Sequence, residues 1–214
     1  MKPEELLQVL HTAEKLKDTT RHCDTSGGRR ESVAEHSWRL ALMAFLLRDE
    51  FPALDMDRVL RMCLIHDLGE CFTGDIPSFL KTDADTEKED ALLARWVSSL
   101  PAPYCAEMAA LYAEMDALET EEAKLYKAMD KLEAVIQHNE APLSTWLPRE
   151  RALNLTYADE NVAFSPYLTA LRKAIREEPM PCRCFSGYTR ISCTNITVAP
   201  SPTTRMRPSS ASFS

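Results

Sequence analysis

The chain has 214 residues, 45% of them hydrophobic, a formal charge of −8 and seven cysteines without regular spacing. That is apolar material enough for one packed domain, with or without a tail, and the acid excess excludes a chain that coats nucleic acid or lies on an anionic membrane, since both rely on basic patches. No stretch reaches the ~18 apolar residues of a membrane span or has the build of a signal peptide, so the expectation is a cytoplasmic protein with reduced thiols and no nucleic-acid or membrane partner.

Residues 3 to 17 read as a helix, with Leu6, Leu7, Leu10, Ala13 and Leu16 at helical spacing. Residues 18 to 31 read as a long polar loop holding Arg21, Arg29 and Arg30, of the length that often folds over a site. Ser32-Val33-Ala34-Glu35 fits a reciprocal capping box. The helix it opens runs to about Arg48, with Leu40, Met43, Ala44 and Leu47 on one stripe and His36 in its first turn. Phe51-Pro52 breaks the chain. Asp55 or Asp57 caps a further helix that turns Val59, Met62, Cys63 and Ile65 inward. It delivers His66-Asp67 at its end. On that helix His66 and Glu70 are i,i+4 neighbours and Asp67 and Glu70 are i,i+3 neighbours, so all three can border one site. Gly69 removes bulk there, and Gly74 suits the turn that precedes Asp75.

Amphipathic helices are expected over about 85–99, 103–118 and 120–140. The last has Leu125, Met129, Leu132 and Ile136 on its apolar face, with Asp130 beside them. A carboxylate there is costly unless paired; Lys127 and Lys131 could hold it on a rim. Pro142 and Pro148 bracket a loop with Trp146, and a helix over about 161–177 closes the core with Tyr167, Leu168, Leu171 and Ile175. No strand-like alternation stands out. The expected fold is all-α, an orthogonal array of helices over residues 1–178. From Pro179 to Ser214, 17 of 36 residues are Ser, Thr or Pro, with four Arg and no Asp, Glu or Lys. That segment reads as a disordered tail. Its three cysteines match no zinc spacing.

His36, His66, Asp67 and Asp130 thus come from three separate helices. Two imidazoles and two carboxylates suit a divalent ion and leave open whether it is Mn, Co, Fe, Ni, Zn or Mg. An ion of higher coordination number would leave room for water and a phosphoryl oxygen. Glu70 and Asp75 are then candidates for moving protons.

The same residues carry a resemblance. His36, then His66-Asp67, then Asp130 resemble the H…HD…D signature of the HD-domain metal-dependent phosphohydrolases. Glu31 to Ser37, Glu70, Thr73-Gly74-Asp75-Ile76-Pro77 and Lys127-x-x-Asp130 look like the branch that contains 5′-deoxynucleotidases. The likeness covers about residues 5 to 175. It implies a homodimeric helical enzyme that cleaves (deoxy)ribonucleoside 5′-monophosphates to nucleoside and phosphate. It also implies that Glu70 acts with the attacking water, that Asp75 lies at the substrate, and that an N-terminal arginine holds the substrate. Arg21 is the nearest match, with Arg29 and Arg30 as alternatives. The chain departs from the branch in having His22-Cys23 after Arg21, with no Trp in that loop. His22 is the candidate to replace that contact. Two other readings use the same residues: an HD-domain hydrolase of another small phosphoester, and a metal-bound nucleotide sensor without turnover. Cys71 in place of an acid disfavours alarmone hydrolysis. Glu70 and Asp75 together disfavour a mere sensor.

Overall fold

The computed structural model describes residues 1–177. The expected boundary at residue 178 and the tail over 179–214 lie outside the described residues. The elements, in order, are α1 (Pro3–Ala13), β1 (Thr20–Asp24), β2 (Arg30–Ser32), α2 (Val33–Leu47), α3 (Met56–Ile65), α4 (Glu70–Thr73), α5 (Asp83–Ser98), α6 (Tyr104–Ala117), α7 (Glu121–Glu140), α8 (Pro148–Asn154), α9 (Asp159–Val162) and α10 (Pro166–Glu177). The fold is all-α, apart from one small hairpin.

Three helices form the centre because each starts on a side chain that satisfies its free N–H groups and carries one apolar face. Ser32 accepts from the Glu35 N–H while Glu35 returns to the Ser32 N–H. Asp55 accepts from the Arg58 N–H, and Thr120 from the Ala123 N–H. Leu40 and Ala44 of α2, Val59, Met62 and Cys63 of α3, and Leu125, Met129 and Leu132 of α7 then interlock in one core, closed by Leu168 of α10. Burying each of the larger of these side chains contributes about 1.5–3 kcal/mol.

Four expectations change. The polar loop over 18–31 contains an antiparallel hairpin, with Thr20 opposite Ser32 and Asp24 opposite Arg30. Its strands are short and half-buried, so no alternation marks them. Gly28, at φ +81°, makes the turn between them. The helix carrying the His66-Asp67 pair does not run on: α3 stops at Ile65, and tight i→i+3 bonds, Leu68 N–H to Ile65 and Glu70 N–H to Asp67, carry the chain to α4. The stretch after Pro142 is not a plain loop but leads into α8 and α9, and the last helix starts at Pro166. Tyr167, expected in the core, is exposed, as are Leu6, Leu7 and Leu10 of α1.

Candidate metal centre and active site

α2, the end of α3 and α7 bring four side chains together: His36, His66 and Asp67 lie close enough to hold one ion, and Asp130 stands beside the two histidines. His36 Nε2 lies 3.1 Å from His66 Nε2 and 3.2 Å from Asp130 Oδ1. Asp67 Oδ2 is 2.9 Å from His66 Nε2 and 3.8 Å from His36 Nε2. Ligands held about 2.1 Å from a common ion would stand about 3 Å apart. The partners of the other ring nitrogens matter as much. His36 Nδ1 bonds the Glu133 carboxylate, and His66 Nδ1 bonds the Cys63 carbonyl at 3.0 Å. Acceptors on both Nδ1 atoms call for the proton there, which turns two Nε2 lone pairs toward each other beside two carboxylates. An added proton or a metal ion relieves that arrangement, and two imidazole nitrogens beside two carboxylates are a donor set that fits a divalent metal. The charge balance agrees. Burial and Arg21 oppose a charged His36, yet its hydrogen bonds to Asp130 and Glu133 raise its pKa to about 10. Asp67 is held down at about 2: burial opposes this, but His66 and His36 outweigh it.

Asp130 has a partner on each of its oxygens. Its Oδ2 takes an ion pair from Lys127 at 2.8 Å, as a rim aspartate would, and its Oδ1 faces His36. Two residues that sequence reasoning missed stand behind the centre. Glu133 and Glu31 are buried, 1% and 2% exposed, and hold Arg21 between them, with Arg21 Nη1 at 3.0 Å from Glu31 and 3.4 Å from Glu133. Glu31, His36 and Glu133 also sit close enough to hold an ion. The Arg21 guanidinium already supplies the positive charge there, so they form a cradle for an arginine. Glu133 was legible only as a position one helical turn after Asp130. Glu31 was quoted in a motif without a role.

Arg21 is the arginine that reaches the site. Arg29 pairs with Glu35, and Arg30 binds the His22 carbonyl and Asp24; neither lines the cavity. The cavity, about 360 Å³, is lined by Arg21, Asp67, Glu70, Asp75, Lys127 and Asp130 among others. Glu70 Oε2 is buried without a hydrogen-bond partner among the described residues. Burial first, then the charges of Asp67 and Asp75, push its carboxyl up to about 9. Asp75 is raised by the same burial, with Arg21 opposing. Gly74, at φ 77° and ψ 166°, turns the chain from α4 to Asp75. Gly69 makes room for α5: a Cβ there would stand 2.9 Å from Glu89 Cγ.

The pattern that describes the HD domain matches residues 13–171. The chain belongs to the HD-domain family. The match takes in all seven residues named from the sequence for the metal and the chemistry. Among relatives of this HD-domain chain, 5′-deoxynucleotidase HDDC2 of Mus musculus is 33% identical over 112 residues, 51% of this chain and 55% of that one. The chain therefore spans about half the length of that relative. The protein of the same name from Danio rerio is 29% identical over 151 residues, 69% of this chain and 74% of that one. A solved structure from Magnetospirillum magnetotacticum, described as a predicted metal-dependent phosphohydrolase, superposes with a TM-score of 0.69 at 34% identity, covering 80% of this chain and 92% of that one. A conserved hypothetical protein of Pyrococcus furiosus gives 0.61 at 27% identity, covering 79% and 98%.

Proposed function

We propose that this HD-domain chain is a metal-dependent phosphohydrolase that cleaves (deoxy)ribonucleoside 5′-monophosphates to nucleoside and phosphate. One observation carries the reading: Asp67 and Asp130, two of the four converging side chains, line a single cavity with the half-buried Arg21 and with Glu70 and Asp75, two carboxylates of raised proton affinity. The relatives that bear the name 5′-deoxynucleotidase support the substrate class. His36, His66, Asp67 and Asp130 would hold the ion, as Mn, Co, Fe, Ni, Zn or Mg. When bound, it polarises the phosphoryl group and makes water a better nucleophile.

The remaining work falls to the protein's own groups. Arg21, fixed by Glu31 and Glu133, offers its outward N–H groups to phosphate oxygens. Lys127 adds a second positive charge on the same wall. Glu70, with its unpartnered Oε2, takes the proton from the attacking water or returns one to the departing 5′-oxygen. Asp75 lies beside Arg21 in the same cavity and positions the substrate.

The chain acts as a homodimer in this reading. Trp38, Leu42, Phe45 and Leu46 stand exposed at i, i+4, i+7 and i+8 of α2, with Trp38 64% and Leu46 67% exposed. That stripe wants a partner surface. A cytoplasmic setting is supported by the free thiols of Cys23, Cys63, Cys71 and Cys105. No helix among the described residues is long and apolar enough to cross a membrane.

The test is phosphate release from a panel of deoxy- and ribonucleoside 5′-monophosphates with Mn²⁺, Co²⁺ or Mg²⁺, using Asp67→Ala as the control. Release that requires both metal and Asp67 is expected. No release from any monophosphate by metal-loaded protein would overturn the reading.

A further inference from the structure

The cavity has a second polar wall that the hydrolysis itself leaves unused. Glu150 of α8 is buried and lines the cavity with His22 of β1 and His138 of α7. Its Oε1 lies 3.1 Å from His22 Nε2 and its Oε2 lies 3.5 Å from His138 Nε2. Both ring nitrogens are buried, and neither is aligned for a hydrogen bond with any described residue. The well-placed donor to this carboxylate is the Leu147 backbone N–H, 2.6 Å from Oε2, which closes the first turn of α8. Burial, and after it the neighbouring charges of His22 and Arg21, lower the proton affinity of His138 against the pull of Glu150.

A carboxylate offers about four acceptor positions. Here one is well filled. An open cavity admits water to the rest. A substrate that fills the cavity displaces that water, and an acceptor left bare is then costly. The occupant must therefore bring hydrogen-bond donors to this wall. A phosphate has none to bring and would be repelled. A sugar hydroxyl has one and carries no charge that must be desolvated.

We propose that Glu150, flanked by His22 and His138, is the subsite for the 3′-hydroxyl of the substrate's sugar, and so a determinant of specificity. This rests on the reading of the substrate as a nucleoside 5′-monophosphate. Position along the chain favours the sugar over the base. His22 follows Arg21 directly in β1, and both line the cavity. The wall thus stands next to the phosphate-binding arm, and the sugar is the group bonded to that phosphate. Phe79, edge-on to His22 with ring centroids 5.7 Å apart, lines the same cavity together with Ile76 and Leu153. These offer the base an apolar contact instead.

The test compares thymidine 5′-monophosphate with its 2′,3′-dideoxy analogue on the full-length chain. Phosphate-release kinetics are read with Mn²⁺, and calorimetric binding is read without added metal. The wild type is expected to favour the hydroxylated compound by about 10- to 100-fold, in KM and in binding rather than in kcat. Glu150→Gln keeps an oxygen for the Leu147 N–H, so α8 stays capped, and it should narrow that gap. Equal treatment of the two compounds by the wild type would overturn the proposal. So would a Glu150→Gln variant that leaves this gap intact while shifting the preference between cytosine and uracil. Hydroxyl-dependent binding without any hydrolysis would overturn the nucleotidase reading and leave the subsite standing.

Discussion

At His36 the two ring nitrogens have different work. Nδ1 is taken by Glu133, which leaves Nε2 to the centre it shares with His66 and Asp130. Replacing Glu133 by Gln keeps the shape but weakens that fixing and loosens Arg21. We expect metal affinity, read by calorimetry, to fall about 10- to 100-fold. Asp67→Ala removes a ligand outright, so metal content and activity should vanish together; metal retained at full stoichiometry would remove Asp67 from the ligand set. Glu70→Gln differs in kind. It should leave the metal bound and lower turnover by about 10²-fold or more, the usual contribution of a general acid–base group. Metal analysis beside kcat separates the two. The four candidate ligands stand out in the sequence because a His or Asp on an apolar helix face demands compensation. Glu31 and Glu133 were not legible, since an acid becomes a cradle only when the fold sets another acid across from it.

Short connections between helices decide how the site is aimed. At Gly74 the backbone pair φ 77°, ψ 166° is one that side-chain-bearing residues avoid, although open space surrounds the position. Gly74→Ala should therefore cost about 1–3 kcal/mol in denaturant unfolding, through backbone strain alone. It should also lower activity by displacing Asp75. Across α3 and α6, Arg58 is paired with Glu114. The hydrogen bond from Arg58, helped by one from Thr120, lowers the Glu114 carboxyl below its ordinary value. A lowered folded-state pKa gives stability that is present above the unfolded carboxylate range, about pH 4.3, and is lost as pH falls through the folded value. Arg58→Ala should accordingly move acid unfolding, followed by circular dichroism, to higher pH. The break after Ile65 and the hairpin over residues 20–32 were invisible beforehand. Tight turns of this kind leave little periodic signal, and the hairpin's residues are neither alternating nor apolar.

On the scale of the molecule, the exposed stripe on α2 bears on assembly. Leu46→Glu combined with Trp38→Glu should convert a dimer to a monomer in sedimentation velocity without loss of helix content, because neither residue touches the core. Dimers that persist would place the interface elsewhere. The longer helices, the capped starts of α2, α3 and α7, the core face of α7 and the four candidate ligands all follow from local rules: hydrophobic period, capping side chains and the cost of burying charge. These depend on neighbours within a turn or two, so the chain alone determines them. Which arginine reaches the cavity, which acids grip it, and that Glu150, His22 and His138 form one wall depend on pairs separated by ten to more than a hundred positions. No local pattern encodes such meetings. They exist only once α2, α3 and α7 have packed and have set the direction of the hairpin and of α8.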